Sequence, residues 1–267
     1  MLVKTLLRPA RLAAYPLRRL VIRQLNAVLR RNSTGTVPRG PRRGVVPAPG
    51  PALSVLVMGD STVGGKDIPD HTHSLGSRLA EALSARTGRA VRWAVLARPG
   101  ATPREISEKY ATRAARYAPD VIVVGVGGNG MPEGYSSGEW GVALAEMIDA
   151  LHSRVGTVPL VLAAAPPAHQ LKAIPQPLRA YWGLRNHLYN GVARRLARSR
   201  PAVTFGPSYA AGKKEYLGPD GCHPSAEGYS IWAERLADTI VPLMSNNEGP
   251  VREQQEPVGL PAHKTAW

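Results

Sequence analysis

Leu53-Ser54-Val55-Leu56-Val57-Met58-Gly59-Asp60-Ser61-Thr62 is the stretch whose reading decides the fold. The short, largely β-branched and aliphatic run reads as a strand. It stops at Gly59, which allows tight backbone geometry, and a serine stands on the turn that follows. Similar short runs recur at Val91–Leu96, Asp120–Val126, Pro159–Ala164 and Ala202–Phe205. Longer patterns of helical period alternate with them: Ser74–Thr87, Pro103–Tyr117, Ser137–Arg154, Leu178–Ser199 and Ser225–Met244. Pro103 after Thr102, and Pro224 before the last helix, are suitable helix starts. The alternation predicts a parallel sheet covered on both faces. In such sheets the site lies beyond the carboxyl ends of the strands.

Those ends carry the chemistry. Ser61 is placed as a nucleophile, although a plain turn serine is the alternative. Gly64-Gly65-Lys66 suggests a phosphate loop, but the spacing fails, because Asp60 and Asp67 stand where Gly and Ser or Thr are needed. The Gly-x-Ser-x-Gly elbow is absent as well. After the second strand, Gly100 can aim a backbone N–H at the site. After the third, Gly127-Gly128-Asn129-Gly130 offers a side-chain amide donor, or only a turn. Before the last helix, Asp220-Gly221-Cys222-His223 puts a carboxylate three residues ahead of an imidazole that it can orient. Asp67, Asp70, His71 and His73 form a second polar cluster. It reads as a loop leading into the helix at Ser74 rather than as a metal site.

Taken in order, Gly59-Asp60-Ser61, Gly100, Gly127-Gly128-Asn129 and Asp220-x-x-His223 resemble the four blocks of the SGNH (GDSL-type) hydrolase family. The resemblance covers about residues 53 to 243. It implies a three-layer α/β/α, flavodoxin-like sandwich with a central, mostly parallel sheet. It also implies hydrolysis of carboxylic esters without metal or organic cofactor. Ser61 would be the nucleophile, His223 the general base and Asp220 its orienting partner. Ser61, Gly100 and Asn129 would form the oxyanion hole, and Asp60 would be a turn-forming neighbour. One position departs: the family usually has Asp after the block-three Asn, where this chain has Gly130. That departure leaves the fixing of Asn129 open, and it motivates an alternative in which the chain is a catalytically degenerate binding protein.

Charge is unevenly placed. The net charge is +15, yet the first 50 residues hold eleven basic side chains and no acid. Residues 51–245 hold 21 basic and 16 acidic ones. A nearly balanced body, in a chain with only one Phe, nine Tyr and five Trp, argues against nucleic acid as a partner. The arm, residues 1–31, sets Leu17, Leu20, Val21, Leu25 and Val28 against Arg18, Arg19, Arg23 and Arg30, with Pro9 and Pro16 as kinks. This fits either a helix at an anionic membrane surface or one packed on the protein's own core. Residues 32–51 read as a Pro/Gly-rich linker, 52–245 as the hydrolase domain and 246–267 as a polar tail. The Arg recurrence leaves no apolar h-region for a cleaved export signal. The expected location is therefore cytoplasmic, with peripheral membrane contact, although other export routes stay open.

The expected function is a serine esterase acting through an acyl-enzyme on Ser61, with an acyl ester, lysophospholipid or O-acetylated substrate. A further alternative is an anionic-surface binder that uses the basic arm. One cysteine, Cys222, excludes an internal disulfide. Trp140, Tyr181 and Trp182 could line a pocket or fill the core. Neither acyl length nor oligomeric state is legible.

Overall fold

The computed structural model of the chain describes residues 15–32 and 35–245. Residues 1–14 of the arm, with Pro9, and the tail from 246 lie outside the described residues. The described residues open with a helix, α1 (Tyr15–Asn32). Strand β1 (Arg43–Val46) and strand β2 (Gly50–Gly59) follow. A single turn, α2 (Ser61–Gly64), leads to α3 (Leu75–Thr87) and β3 (Arg89–Ala97). Residues 103–117 form a broken helical segment, here α4. It contains a π turn at Ile106–Tyr110 and a 3-10 turn at Ala115–Tyr117, where the sequence suggests one continuous helix. The remaining elements are β4 (Val121–Gly125), α5 (Ser137–Val155), β5 (Leu160–Ala163), α6 (Leu178–Ser199), β6 (Val203–Gly206) and α7 (Ala226–Ser245).

The six strands form one sheet in the order β1-β3-β2-β4-β5-β6. Neighbours from β3 through β6 run parallel, and β1 alone pairs antiparallel. The central strands show why. Residues 53–59 of β2 are buried without alternation, as is Val121–Val124 of β4, so both faces of the sheet are covered. Helices α3 and α7 pack together, while α4, α5 and α6 pack together, giving the three-layer α/β/α sandwich. Strand β1 was not legible: four residues of alternating exposure inside a Pro/Gly-rich stretch are too few to show a pattern.

The parallel strands carry the doubly wound order with its reversal between β2 and β4, where a crevice opens beyond the strand ends. The two strands approach closely there. A Cβ at Gly59 would overlap the carbonyl of Gly125, and Asp60 N donates to that same carbonyl at 3.1 Å. Both termini of the crevice are thereby held in register.

Helix α1 packs on the domain. Val28 is buried, and Val21 and Leu25 are partly buried against the core. Gln24 clamps the start of α6: its Nε2 donates to the Gln176 carbonyl at 2.7 Å and its Oε1 accepts from Leu178 N at 3.1 Å. The packing is one-sided, and Leu17, Leu20, Ile22 and Leu29 remain exposed.

Candidate active site

Ser61 opens the one-turn helix after β2. Asp60 caps that turn, its Oδ1 accepting from Thr62 N at 2.9 Å, and Gly65 closes it in the left-handed region at φ 80°. Val63 is buried beneath, against Gly59 and Gly125. The first N–H of a helical turn has no intrahelical acceptor, so Ser61 presents both a hydroxyl and a backbone donor to the crevice.

From the opposite side, the loop before α7 delivers the histidine. Gly221 adopts φ 66°, and Gly218 N donates to the His223 carbonyl at 2.8 Å. Tyr209, buried beneath the loop, donates its hydroxyl to the Cys222 carbonyl. Thus anchored, His223 Nε2 lies 2.9 Å from Ser61 Oγ, and its Nδ1 lies 2.6 Å from Asp220 Oδ2. Asp220 Oδ1 accepts the backbone N–H groups of Cys222 and His223 at 2.8 and 2.9 Å. Lys66 Nζ is 2.9 Å from Oδ2. Burial would raise the Asp220 pKa, but the hydrogen bonds and charge of His223, its backbone N–H and Lys66 outweigh it. The carboxyl is held far below its ordinary range and stays ionised.

The side of the crevice that faces Ser61 is built from the loops after β3 and β4. Gly100 adopts φ 77°, a conformation that L side chains rarely take, in the loop before α4. Asn129 Nδ2 donates to Asp60 Oδ2 at 3.0 Å and, at a longer 3.4 Å, to the Ala101 carbonyl. Asp60 is thus more than a turn former. It is buried, which raises its pKa, while the N–H of Thr62, the charge of His223 and the N–H of Gly128 pull the other way.

Ser61, His223, Gly100 and Asn129 line one cavity of 540 Å³. Ala168, Leu171, Ile174 and Trp182 give it apolar walls, and Leu29, Gly35, Thr36 and Val37 complete it from the N-terminal segment. That last contribution and the lysine at Asp220 were not visible in the sequence. Trp140 lies instead in the core, against Tyr189 at 4.9 Å between ring centroids. Tyr181 is on the surface. Of the second polar cluster, Asp70 caps the short turn His71–His73 and lies 3.0 Å from His73 Nδ1. His71, in the same turn, is buried. Asp67 pairs with Lys66 at 3.0 Å.

Chemically, the arrangement can abstract the Ser61 proton and keep the resulting imidazolium beside an ionised carboxylate. This is a serine-hydrolase geometry, and comparisons with known proteins agree with it. The chain is 28% identical over 198 residues to the GDSL-like esterase Rv1075c of Mycobacterium tuberculosis, covering 69% of this chain and 60% of that protein. Among solved structures, TesA superposes with a TM-score of 0.58 at 19% identity, over 72% of this chain and 99% of that one. A family 3 carbohydrate esterase of Clostridium thermocellum gives 0.54 at 19%, over 73% and 98%. At such identity these two establish the fold. Residues 57–231, which carry the serine, both oxyanion-side blocks and the Asp-x-x-His pair, match the GDSL-like Lipase/Acylhydrolase family, and to that family the chain belongs.

Proposed function

We propose that the protein is a serine esterase that hydrolyses carboxylic esters through an acyl-enzyme. The observation that carries this is the unbroken relay from Ser61 Oγ through His223 to Asp220, opening into a cavity with apolar walls. His223 Nε2 takes the hydroxyl proton as Ser61 Oγ bonds to the acyl carbon. The carbonyl electrons move to an oxyanion held by the N–H groups of Ser61 and Gly100 and by the Asn129 amide. Collapse expels the alcohol, which receives the proton from His223. Water then repeats the sequence and releases the acid, restoring Ser61.

The walls at Leu171, Ile174, Trp182 and Leu29 favour a short or medium acyl chain over a charged acyl group. The chain spans 60% of the curated relative's length, so the reading is tested on the protein itself. Hydrolysis of p-nitrophenyl acetate, butyrate, octanoate and palmitate is compared for the wild type and Ser61→Ala, with a chelator present. The expected result is turnover peaking at butyrate or octanoate and falling by about 10³-fold or more in Ser61→Ala. Equal turnover by both would remove Ser61 as the nucleophile.

The exposed face of α1 favours peripheral attachment to an anionic bilayer from the cytoplasmic side. Leu17, Leu20 and Ile22 are exposed alongside Arg19 and Arg23, and such a face binds by apolar insertion plus charge. Cosedimentation with phosphatidylglycerol vesicles at low salt, lost in Leu17→Glu/Leu20→Glu, is the expected outcome. Indifference of the wild type to these vesicles overturns it.

A further inference from the structure

We infer that Lys66 is a positioning residue of the hydrolytic site: its ammonium locks the Asp220 carboxylate toward His223 and partly neutralises it, and residues 35–36 hold Lys66 in that place. The inference rests on the esterase reading and adds a member to its relay. Lys66 and Asp220 are both nearly buried, with side chains 11% and 7% exposed, and their atoms meet at 2.9 Å. The ammonium and His223 Nδ1 share one oxygen, Oδ2. Because Oδ1 is taken by two backbone N–H groups, the carboxylate has no free rotamer left.

Part of what fixes the lysine, the segment at residues 35–36, lies outside the part of the chain that matches the family. Its other partner is Asp67, at 3.0 Å. Asp67 sits at φ 64° and is tied to the N-terminal segment in both directions: Thr36 N donates to its Oδ1 at 2.8 Å, and its own N–H donates to the Thr36 carbonyl at 3.1 Å. Gly35 lies directly on the lysine, where a Cβ would overlap Lys66 Cε and crowd Nζ and Asp67 Oδ1. Burial works against the ammonium, but the two carboxylates outweigh it and keep it charged.

The consequence is electrostatic. The charged and titratable groups around the relay and its cavity are Lys66, Asp67, Asp60, Arg31, Cys222, Tyr209, Tyr229, Arg98 and Glu133. Of these, Lys66 meets the oxygen that His223 uses. A cation there opposes a second positive charge on the imidazole. Removing it leaves the full carboxylate charge beside the imidazole, so the pH dependence of the relay is what should respond.

The test uses full-length Lys66→Met, Lys66→Arg and Gly35→Ala. Two quantities are read: the acid limb of kcat/KM for p-nitrophenyl butyrate, and the His223 titration midpoint by NMR, which needs no turnover. In Lys66→Met both move up by roughly 0.5–1 pH unit, and Lys66→Arg returns them to wild type. Gly35→Ala moves them in the same direction with every charge retained, because the atoms its methyl meets first are the flexible end of the lysine and one carboxylate oxygen. Should Lys66→Met not fold, Gly35→Ala decides. An unmoved or lowered midpoint overturns the inference, even where stability falls. If the wild type hydrolyses no ester, the esterase reading fails, while the NMR midpoints still judge Lys66.

Discussion

Asp60 Oδ2 and Asn129 Nδ2 are 3.0 Å apart, so the residue beside the nucleophile aims the donor on the loop after the neighbouring strand. One carboxylate caps the turn that exposes Ser61 and holds the amide across the crevice. This answers the departure at Gly130. The direction of Asn129 is fixed from β2, and a residue after Asn129 is not needed for it. The observation that favoured a degenerate site is thereby removed.

Replacing Asp60 tests this division of labour. In Asp60→Asn the carbonyl oxygen can still cap Thr62. Its NH2 group then faces the NH2 group of Asn129, and two donors cannot pair. Asn129 swings away and the oxyanion loses one N–H. The expected result is a fall in kcat of about 10²-fold, the usual cost of one such donor, with KM little changed. A fall confined to thermal stability would leave Asp60 a structural cap only.

Gly130 has a different reason to be glycine. A Cβ there would stand 2.8 Å from Tyr189 Cε2 and 3.0 Å from two atoms of the Trp140 ring. Both rings are buried, and Tyr189 donates its hydroxyl to the Tyr135 carbonyl at 2.7 Å. The aromatic pair anchors the loop through this gap. Gly130→Asp forces overpacking and leaves a carboxylate near apolar rings, at an expected cost of about 2–4 kcal/mol in chemical denaturation. Stability equal to wild type would show that the pair can yield.

Chemistry was legible in this chain where residue types are rare and sit at strand ends. Ser61, Gly100, Asn129, Asp220 and His223 each stand in a turn or loop where a structural reading was open; their order along the chain, matched to the four blocks of the family, is what picked them out. The central strands were equally plain, because burial on both faces leaves unbroken aliphatic runs. What escaped depends on distant contacts. Lys66 reads as a loop lysine until Asp220, 154 residues away, is brought to it. Leu29 reads as one leucine of an amphipathic helix, and no local pattern says that it walls a cavity. Periodicity showed that α1 has an apolar face but not what covers it. In the fold that face is divided: Val28 turns to the core and Leu17 to the outside.

Leu29 supplies a steric test of the cavity. Its side chain is 39% exposed and stands at the N-terminal wall. Leu29→Trp adds bulk there without touching the relay. The expected change is a loss of about tenfold in kcat/KM for octanoate relative to acetate, the scale of one misplaced methylene. Equal losses on both esters would place the acyl chain elsewhere in the cavity.

His71 gives the fold a pH dependence separate from catalysis. It is 2% exposed, and its Nδ1 lacks a hydrogen-bond partner among the described residues. Burial, and then the nearby Arg42 guanidinium, lower its pKa from 6.5 to about 4. Between those values the unfolded chain binds a proton that the folded chain refuses, so stability is full above pH 6.5 and declines as pH falls toward 4. The loss across that window is on the order of 2–3 kcal/mol. Urea denaturation at pH 7.5, 6, 5 and 4 should show it, and His71→Gln should flatten that part of the curve. The Asp220 carboxylate acts lower on the scale: its depressed pKa gives stability that is present above about 3.8 and lost only below it. A curve for His71→Gln as steep as the wild type between pH 6 and 4 would assign the acid sensitivity to another group.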